Sequence, residues 1–467
     1  MATGMLKTDY LVVGAGAMGM AFTDALVDHA DVHVTLVERR HTAGGHWLDA
    51  YPFVQLHQSS VFYGVASTVL GNGAIQESGP EKGLGKRARQ PTIESYFDSV
   101  LRDRLVGSGQ VTFLGAHDYR SDGTMHLATS RVSGETVQIE VARRVVDAAY
   151  LSPSIPASTT APFAVADGVP VVPVNRLADL AAAPQTFVIV GSGKTATDAI
   201  VWLLAQGVAS DRIVWVRPRD PWMLNRNVVQ PDPAIALALS TDIMLAGAAS
   251  DTVDEFFLRL EAAGVMIRID PRVTPTMAKV PTLGEWERDL LRTIERVVRL
   301  GHITRVTGTE IVLERGSVPL PPDSLIVHCA AAGLQYPPRV PIWGADRIRL
   351  QTIRAGFPCF GGALAGYVEA TRDDDRERNR ICPPNRLSDT PLDWIQMQLR
   401  GTITTRGFGT ETDIAAWANT CALNLGRIDP AVRDEPAVRA AVARLAEHVG
   451  PGMSGLAELA SIALPNQ

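Results

Sequence analysis

The stretch D-Y-L-V-V-G-A-G-A-M-G, from Asp9 to Gly19, constrains this chain more than any other. Tyr10 to Val13 is a short apolar run that stops at a glycine, the pattern of a strand buried on both faces. From Ala17 to Val27 the apolar residues recur at helical spacing, and Val32 to Val37 then predicts a second strand ending at Glu38. Each glycine has a physical reason. Gly14 permits the tight turn out of the strand, Gly16 lets the backbone approach a pyrophosphate, and Gly19 lets the helix pack against the sheet. The helix start offers free N–H groups and a positive dipole end to phosphate. Glu38 follows Gly19 by 19 residues, where a carboxylate accepts from both hydroxyls of a ribose.

A second unit repeats the pattern. Phe187 to Val190 predicts a buried strand, Gly191 and Gly193 the turn, with Ala196 in the third place. A helix over Thr195–Ala205 and a strand over Arg212–Val216 follow. Here no acid closes the second strand. Arg217 lies 21 residues after Ala196, with Arg219 close behind. A guanidinium pairs with a 2′-phosphate where an acid would repel it, so this unit is expected to take NADPH through Gly191, Gly193, Lys194, Thr195, Ala196, Arg217 and Arg219. The G-S-G-K-T run imitates the end of a P-loop, but the glycine required five residues before Gly193 is Val188, inside the strand.

Composition narrows the classes. The chain has 467 residues, 46% apolar and 20% charged, which suits a soluble protein with more than one core. A net charge of −6 with no long basic run gives no reason to expect nucleic acid or anionic lipid as partner. Cys329, Cys359, Cys382 and Cys421 form no C-x-x-C pair and have no metal-ligand spacing, so no metal is expected, and a reducing, cytoplasmic setting is the simpler reading. No signal peptide or transmembrane run is legible.

The residues after Glu38 carry a resemblance. Arg39 leads into R-H-T-A-G-G-H-W, in which Gly44, Gly45, His46 and Trp47 resemble the G-G-x-W stretch of flavin-containing and Baeyer–Villiger monooxygenases. The segment Leu56–Ser60 is similar to the part of that superfamily beside the isoalloxazine ring, and Gln90–Phe97 also resembles it, with Thr92 as the expected helix cap. The resemblance implies FAD at the first unit, held by Gly14, Gly16, Gly19, Glu38, Arg39, Gly45, His46 and Trp47. It also implies that His57, Gln58, Ser59 and Ser60 face the reactive side of the flavin.

The expected fold is α/β, with two Rossmann-like dinucleotide-binding domains and a discontinuous FAD domain. Residues 1–165 would form its first part, 170–320 an NADPH domain with a helical insertion, and 321–467 the second FAD part with C-terminal helices. Within these, helices are expected over Ile235–Ala249, Thr252–Ala263, Leu283–Leu300 and Pro430–Ala460, the last as a covering or homodimer element. Ser324–Cys329 leading into A-A-A-G-L resembles the turn by which the family re-enters its FAD domain. Gly361 and Gly362 would allow close approach of the backbone to the flavin. Asp373–Arg380 reads as a loop.

Without a redox cysteine pair, the disulfide-reductase branch of this architecture does not fit. The resemblance then implies an FAD- and NADPH-dependent monooxygenase. Such an enzyme passes one oxygen atom of O₂ from a flavin C4a-hydroperoxide to a small molecule, with N- or S-oxygenation expected. The chain departs from the family before the second turn: P-F-A-V-A-D-G-V-P-V-V-P-V-N-R lacks the F-x-G-x-x-x-H motif, and Ala148-Ala149-Tyr150 replaces an A-T-G turn. A flavin dehydrogenase or reductase without oxygen insertion, and a non-catalytic nucleotide-binding regulator, stay open as alternatives. Trp222, Trp286, Trp343 and Trp394 read as pocket walls or as packing.

Overall fold

A computed structural model describes residues 5–464 apart from positions 124, 332 and 334. Two parallel sheets organise it. In the first, Val111–Leu114, Val34–Val37, Met5–Val13 and Thr136–Asp147 lie side by side, and Arg347–Arg349 joins the far end of Thr136–Asp147. All these pairs are parallel, and Val34–Val37 is buried throughout, as a strand covered on both faces must be. The near end of Thr136–Asp147 pairs antiparallel with His126–Ser130, which pairs with His117–Ser121.

The helix Ala17–His29 covers this sheet, and the late helix Pro358–Thr371 packs on it backbone to backbone. A Cβ on Gly362 would sit 2.7 Å from the Met18 carbonyl oxygen, and one on Gly366 would overlap that of Phe22. Buried Tyr10 donates to Glu369 at 2.6 Å and Trp343 to the same carboxylate at 2.7 Å. Segments 359 residues apart thus close one domain. Gly361 and Gly362 lie inside this helix, where Gly362 serves its packing against Met18 and Gly361 stands beside Ile353.

The second sheet runs Val297–Val298, Ile213–Val216, Thr186–Val190, Ser324–His328, Val171–Pro173, all parallel. Ser324–His328 pairs residue for residue with Thr186–Val190. The boundary expected at 320 therefore falls too early: the second domain keeps this strand, and the first sheet is rejoined only at Arg347–Arg349. The A-A-A-G-L turn includes positions 332 and 334, outside the described residues.

Local propensity loses to pairing elsewhere. The helix expected over Leu283–Leu300 spans only Glu285–Leu291, because Val297–Val298 is drawn into the sheet edge beside Ile213–Val216. The run read as a loop at 373–380 is largely the helix Asp375–Ile381, whose first N–H groups are capped by the Asp374 carboxylate. The helix expected to be capped by Thr92 starts at Gln90, with Arg89 at the cap.

Pro233–Ala248, Val253–Ala262, Pro391–Gly409 and Pro436–Ala460 make a helical layer with one core around Trp222, Phe256, Phe257 and Trp394. The insertion and the C-terminal helix are one unit: a Cβ on Gly452 would lie 2.5 Å from Met244 Cα. The C-terminal helix is thus a cover for the insertion. Among the described residues no helix is long and apolar enough to cross a membrane.

Candidate functional site

At the first turn Gly14 has φ +106° and donates to the Val37 carbonyl at 2.8 Å. A Cβ on Gly19 would overlap the Gly14 carbonyl oxygen and lie 3.0 Å from Ala148 Cβ, so packing alone demands glycine there. The following helix has Gly16 at its cap, no side-chain cap and no acid in its first turn, which leaves its N–H groups to an anion. Buried Glu38 accepts from the N–H of Ala15 at 2.8 Å and of Arg40 at 3.0 Å, which fixes its carboxylate at the rim of the turn.

Arg40, not Arg39, occupies the inner position, bridging Glu38 at 3.6 Å and Asp49 at 2.5 Å. Arg39 is exposed, because one step along the chain moves the side chain to the other face. The glycine pair docks on the turn. Gly44 donates to Ala15 at 2.9 Å, and a Cβ on Gly45, at φ +60°, would sit 2.9 Å from Gly16 Cα. Trp47 is buried and donates to Tyr63 at 2.6 Å. His46 lies half-buried beside it, and desolvation with the Arg40 charge pushes its pKa down to about 4.

The loop after it joins the two domains. The His57 carbonyl accepts from Arg226 Nε at 2.9 Å and from the Thr282 hydroxyl, while His57 Nδ1 lies 3.3 Å from the Thr282 N–H. Burial, then the charges of Lys194, Arg226 and Arg87, lower its pKa to about 3, so the imidazole is neutral and an acceptor. Ser60 donates to the Lys86 carbonyl at 3.0 Å, and Ser59 packs against Gly85. In Gln58 alone of these four does a buried polar atom, Oε1, have no hydrogen-bond partner.

The second turn repeats the first. Gly191 has φ +132° and its carbonyl accepts from Trp215 Nε1 at 2.7 Å. The helix Lys194–Ala205 is uncapped by side chains, Ala196 is fully buried in the third-glycine place, and a Cβ on Gly193 would meet nothing within 4 Å. Thr195 sits half-buried in its first turn. The buried Ser192 hydroxyl has no partner. Two uncapped helix starts, open space beside Gly193, the Ser192 hydroxyl as a donor and Gln58 Oε1 as an acceptor make up a set of groups that fits a dinucleotide at each turn.

The arginines behave otherwise. Arg217 is 1% exposed, ion-paired with Asp220, and its guanidinium lies 4.6 Å from the centre of the Trp215 ring. Arg219 pairs with Asp389 at 2.8 Å and with the Thr276 carbonyl. Neither is free for a 2′-phosphate, which corrects the role expected of them. Lys194 is also engaged, by Asp198 and by Glu287 at 3.4 Å.

Those partners begin a buried chain of charges that the sequence reading missed. Glu287 accepts from Arg226 at 2.6 Å and from the Gly284 N–H at 2.6 Å. Arg226 also pairs with Glu81, which holds Arg87 at 2.9 Å and accepts from Trp286 Nε1 at 3.1 Å. Tyr51 donates to Asp198 at 2.8 Å. Burial works against the Glu287 carboxylate, yet Lys194, Arg226 and Arg87 hold its pKa at about 2. The chain runs from the second turn to the His57–Ser60 loop. Its one local signal is the four-residue spacing of Lys194 and Asp198; Arg226 and Glu81 stand 145 residues apart. Trp222 and Trp394 are core residues. All four cysteines are free and buried.

Residues 12–66 match the family model of the NAD(P)-binding Rossmann-like domain. Over 439 residues the chain is 38% identical to an uncharacterized protein of Mycobacterium tuberculosis, covering 93% of this chain and 81% of that one. The same figures hold for an uncharacterized protein of Mycobacterium bovis. The polycyclic ketone monooxygenase of the thermophilic fungus Thermothelomyces thermophila superimposes with a TM-score of 0.53 at 13% identity, over 99% of this chain and 89% of that one. A steroid monooxygenase bound to NADP gives a TM-score of 0.50 at 16% identity, over 78% and 85%. The chain therefore belongs to one family with these mycobacterial proteins, and its Rossmann-like, two-sheet fold is that of the class B flavin monooxygenases.

Proposed function

We propose that the chain is an FAD- and NADPH-dependent oxidoreductase that transfers one oxygen atom from O₂ to a small molecule. The observation that carries this is the pairing of two uncapped glycine turns, one per parallel sheet, joined through a buried ionic chain. FAD, when bound, would accept hydride from NADPH and activate O₂. The protein's own part is binding and exclusion of water. Gly14, Gly16 and the first helix start would take the FAD pyrophosphate, and Glu38 the ribose. Gly191, Gly193 and the second helix start would take the NADPH pyrophosphate. Gln58 Oε1 offers an acceptor to a ring N–H, and the Arg226 bond to His57 fixes the loop that carries it.

The altered segment before the second turn favours a second reading, in which electrons pass without oxygen insertion. Both are tested on the purified protein. Its visible spectrum after reconstitution with FAD comes first: a protein that takes up no FAD sinks both readings. NADPH oxidation is then followed with a thioether, an amine and a ketone present. Oxygenated product supports the first reading. Stoichiometric hydrogen peroxide with every substrate supports the second.

A further inference from the structure

Interior arginines in this protein have carboxylate partners: Arg87 has Glu81, Arg217 has Asp220, Arg226 has Glu81 and Glu287, and Arg378 has Glu369. Arg354 has no such partner. It is half-buried, and among the described residues no carboxylate lies within ion-pair distance. Its one hydrogen-bond acceptor is a neutral amide: Nη1 donates to Asn424 Oδ1.

That amide is fixed in place. Asn424 is 5% exposed, its Nδ2 donates to the Ala418 carbonyl at 2.9 Å, and its Oδ1 also accepts from the Gly426 N–H at 3.1 Å. Gly426 makes room for the guanidinium, since a Cβ there would sit 2.8 Å from Arg354 Nη2. With Nη1 engaged, the Nε–Nη2 edge remains, the fork that accepts a carboxylate in bidentate fashion. Burial lowers the Arg354 pKa to about 10, which still leaves the group charged at neutral pH.

The position of this fork matters. Arg354 lies over the Phe357 ring at 6.0 Å, and Phe357 meets Phe62 edge to face at 5.8 Å. Phe62 ends the short helix that begins at Ser60, and Phe357 packs on both the core of the first domain and that of the helical layer. An aromatic path therefore leads along the seam between those cores, from the guanidinium to the loop carrying Gln58. We propose that this seam seats an amphipathic carboxylate, its anionic end on Arg354 and its apolar body against Phe357, which Phe62 backs from the core. That the carboxylate is the substrate rests on the flavin placement proposed above.

Calorimetry on the purified full chain tests the site without any redox readout. The probes are 3-phenylpropanoate and octanoate, each against its primary amide. Roughly tenfold or greater preference for the carboxylate is expected, from charge-assisted bonds the amide cannot make. The preference should vanish in Arg354→Gln. Asn424→Asp, which gives the guanidinium a carboxylate from within the chain, should also abolish it. Equal binding of acids and amides by the unaltered protein overturns the proposal whether or not a variant folds, and so does a preference that survives Arg354→Gln. The substrate role is read separately: in FAD-loaded protein the acids should shift the flavin absorbance band, and binding that leaves the band unmoved overturns that role. Arg354-dependent acid binding in a protein that takes up no FAD sinks the flavin reading and leaves the carboxylate site standing.

Discussion

Arg226 of the second domain donates to the main-chain carbonyl of His57 in the first, at 2.9 Å, from a guanidinium 1% exposed. The same side chain pairs with Glu81 and Glu287, so it ties the loop of one nucleotide unit to a carboxylate that also holds Lys194 of the other. Removing it leaves two buried carboxylates short of a partner, which costs about 3–5 kcal/mol. Arg226→Ala should therefore lower the urea midpoint substantially, and Arg226→Lys less. A midpoint for Arg226→Ala equal to the parent's would show that the pair contributes nothing. If the chain of charges also sets the geometry between the units, Arg226→Lys should slow flavin reduction by NADPH more than it weakens NADPH binding.

Arg217→Ala separates two accounts of the second turn. An arginine after the second strand reads from sequence as a phosphate ligand, yet here it is buried on Trp215 and paired with Asp220. The variant should lose stability and weaken NADPH and NADH alike. A loss confined to NADPH would mean that Arg217 exchanges Asp220 for the 2′-phosphate on binding.

What was legible in the sequence was whatever is enforced within about 30 residues. Gly14, Gly19 and Gly191 announce themselves because strand, turn and helix lie in one local unit. What was not legible depends on distant chain. Ser324–His328 looked like a return to the first domain, and only its pairing with Thr186–Val190 assigns it to the second. Gly362 looked like a ligand contact because a glycine invites close approach, and nothing local says that Met18 is what approaches. Arg39 and Arg40 are neighbours in sequence, and only the strand's emergence decides which turns inward.

Stability should fall on mild acidification, for a reason specific to His46 and His57. Burial lowers their pKa to about 4 and about 3. Below the ordinary value of about 6.5 the unfolded chain takes up these protons and the folded one does not, so stability is full above about pH 6.5 and drains as pH falls. Each histidine contributes about 1.4 kcal/mol per pH unit in that window. His328, also lowered by burial, adds in the same direction. Glu287, held at about 2, acts only below its ordinary 4.5, and Asp24 and Asp242, raised by burial, work in the opposite sense, so the interval from pH 6.5 to 4.5 is where the histidine loss is read against the parent. Melting temperatures measured across it should slope less in His46→Asn than in the parent; parallel slopes would contradict the assignment.

Two glycine substitutions should fail in different ways. At Gly19 a Cβ overlaps the Gly14 carbonyl, so Gly19→Ala must push helix from strand and should reduce soluble, folded protein whatever nucleotide is present. At Gly193 a Cβ meets no protein atom within 4 Å and the backbone φ of −84° suits alanine. Gly193→Ala should therefore keep the parent's melting temperature or gain slightly. If the open space beside it receives a pyrophosphate, the added methyl blocks that approach. NADPH affinity, measured by calorimetry, should then drop roughly tenfold or more, a methyl-sized clash costing at least the ~1.4 kcal/mol that a tenfold change represents. Full NADPH affinity in a well-folded Gly193→Ala protein would place the nucleotide elsewhere and remove the second turn from the proposed mechanism.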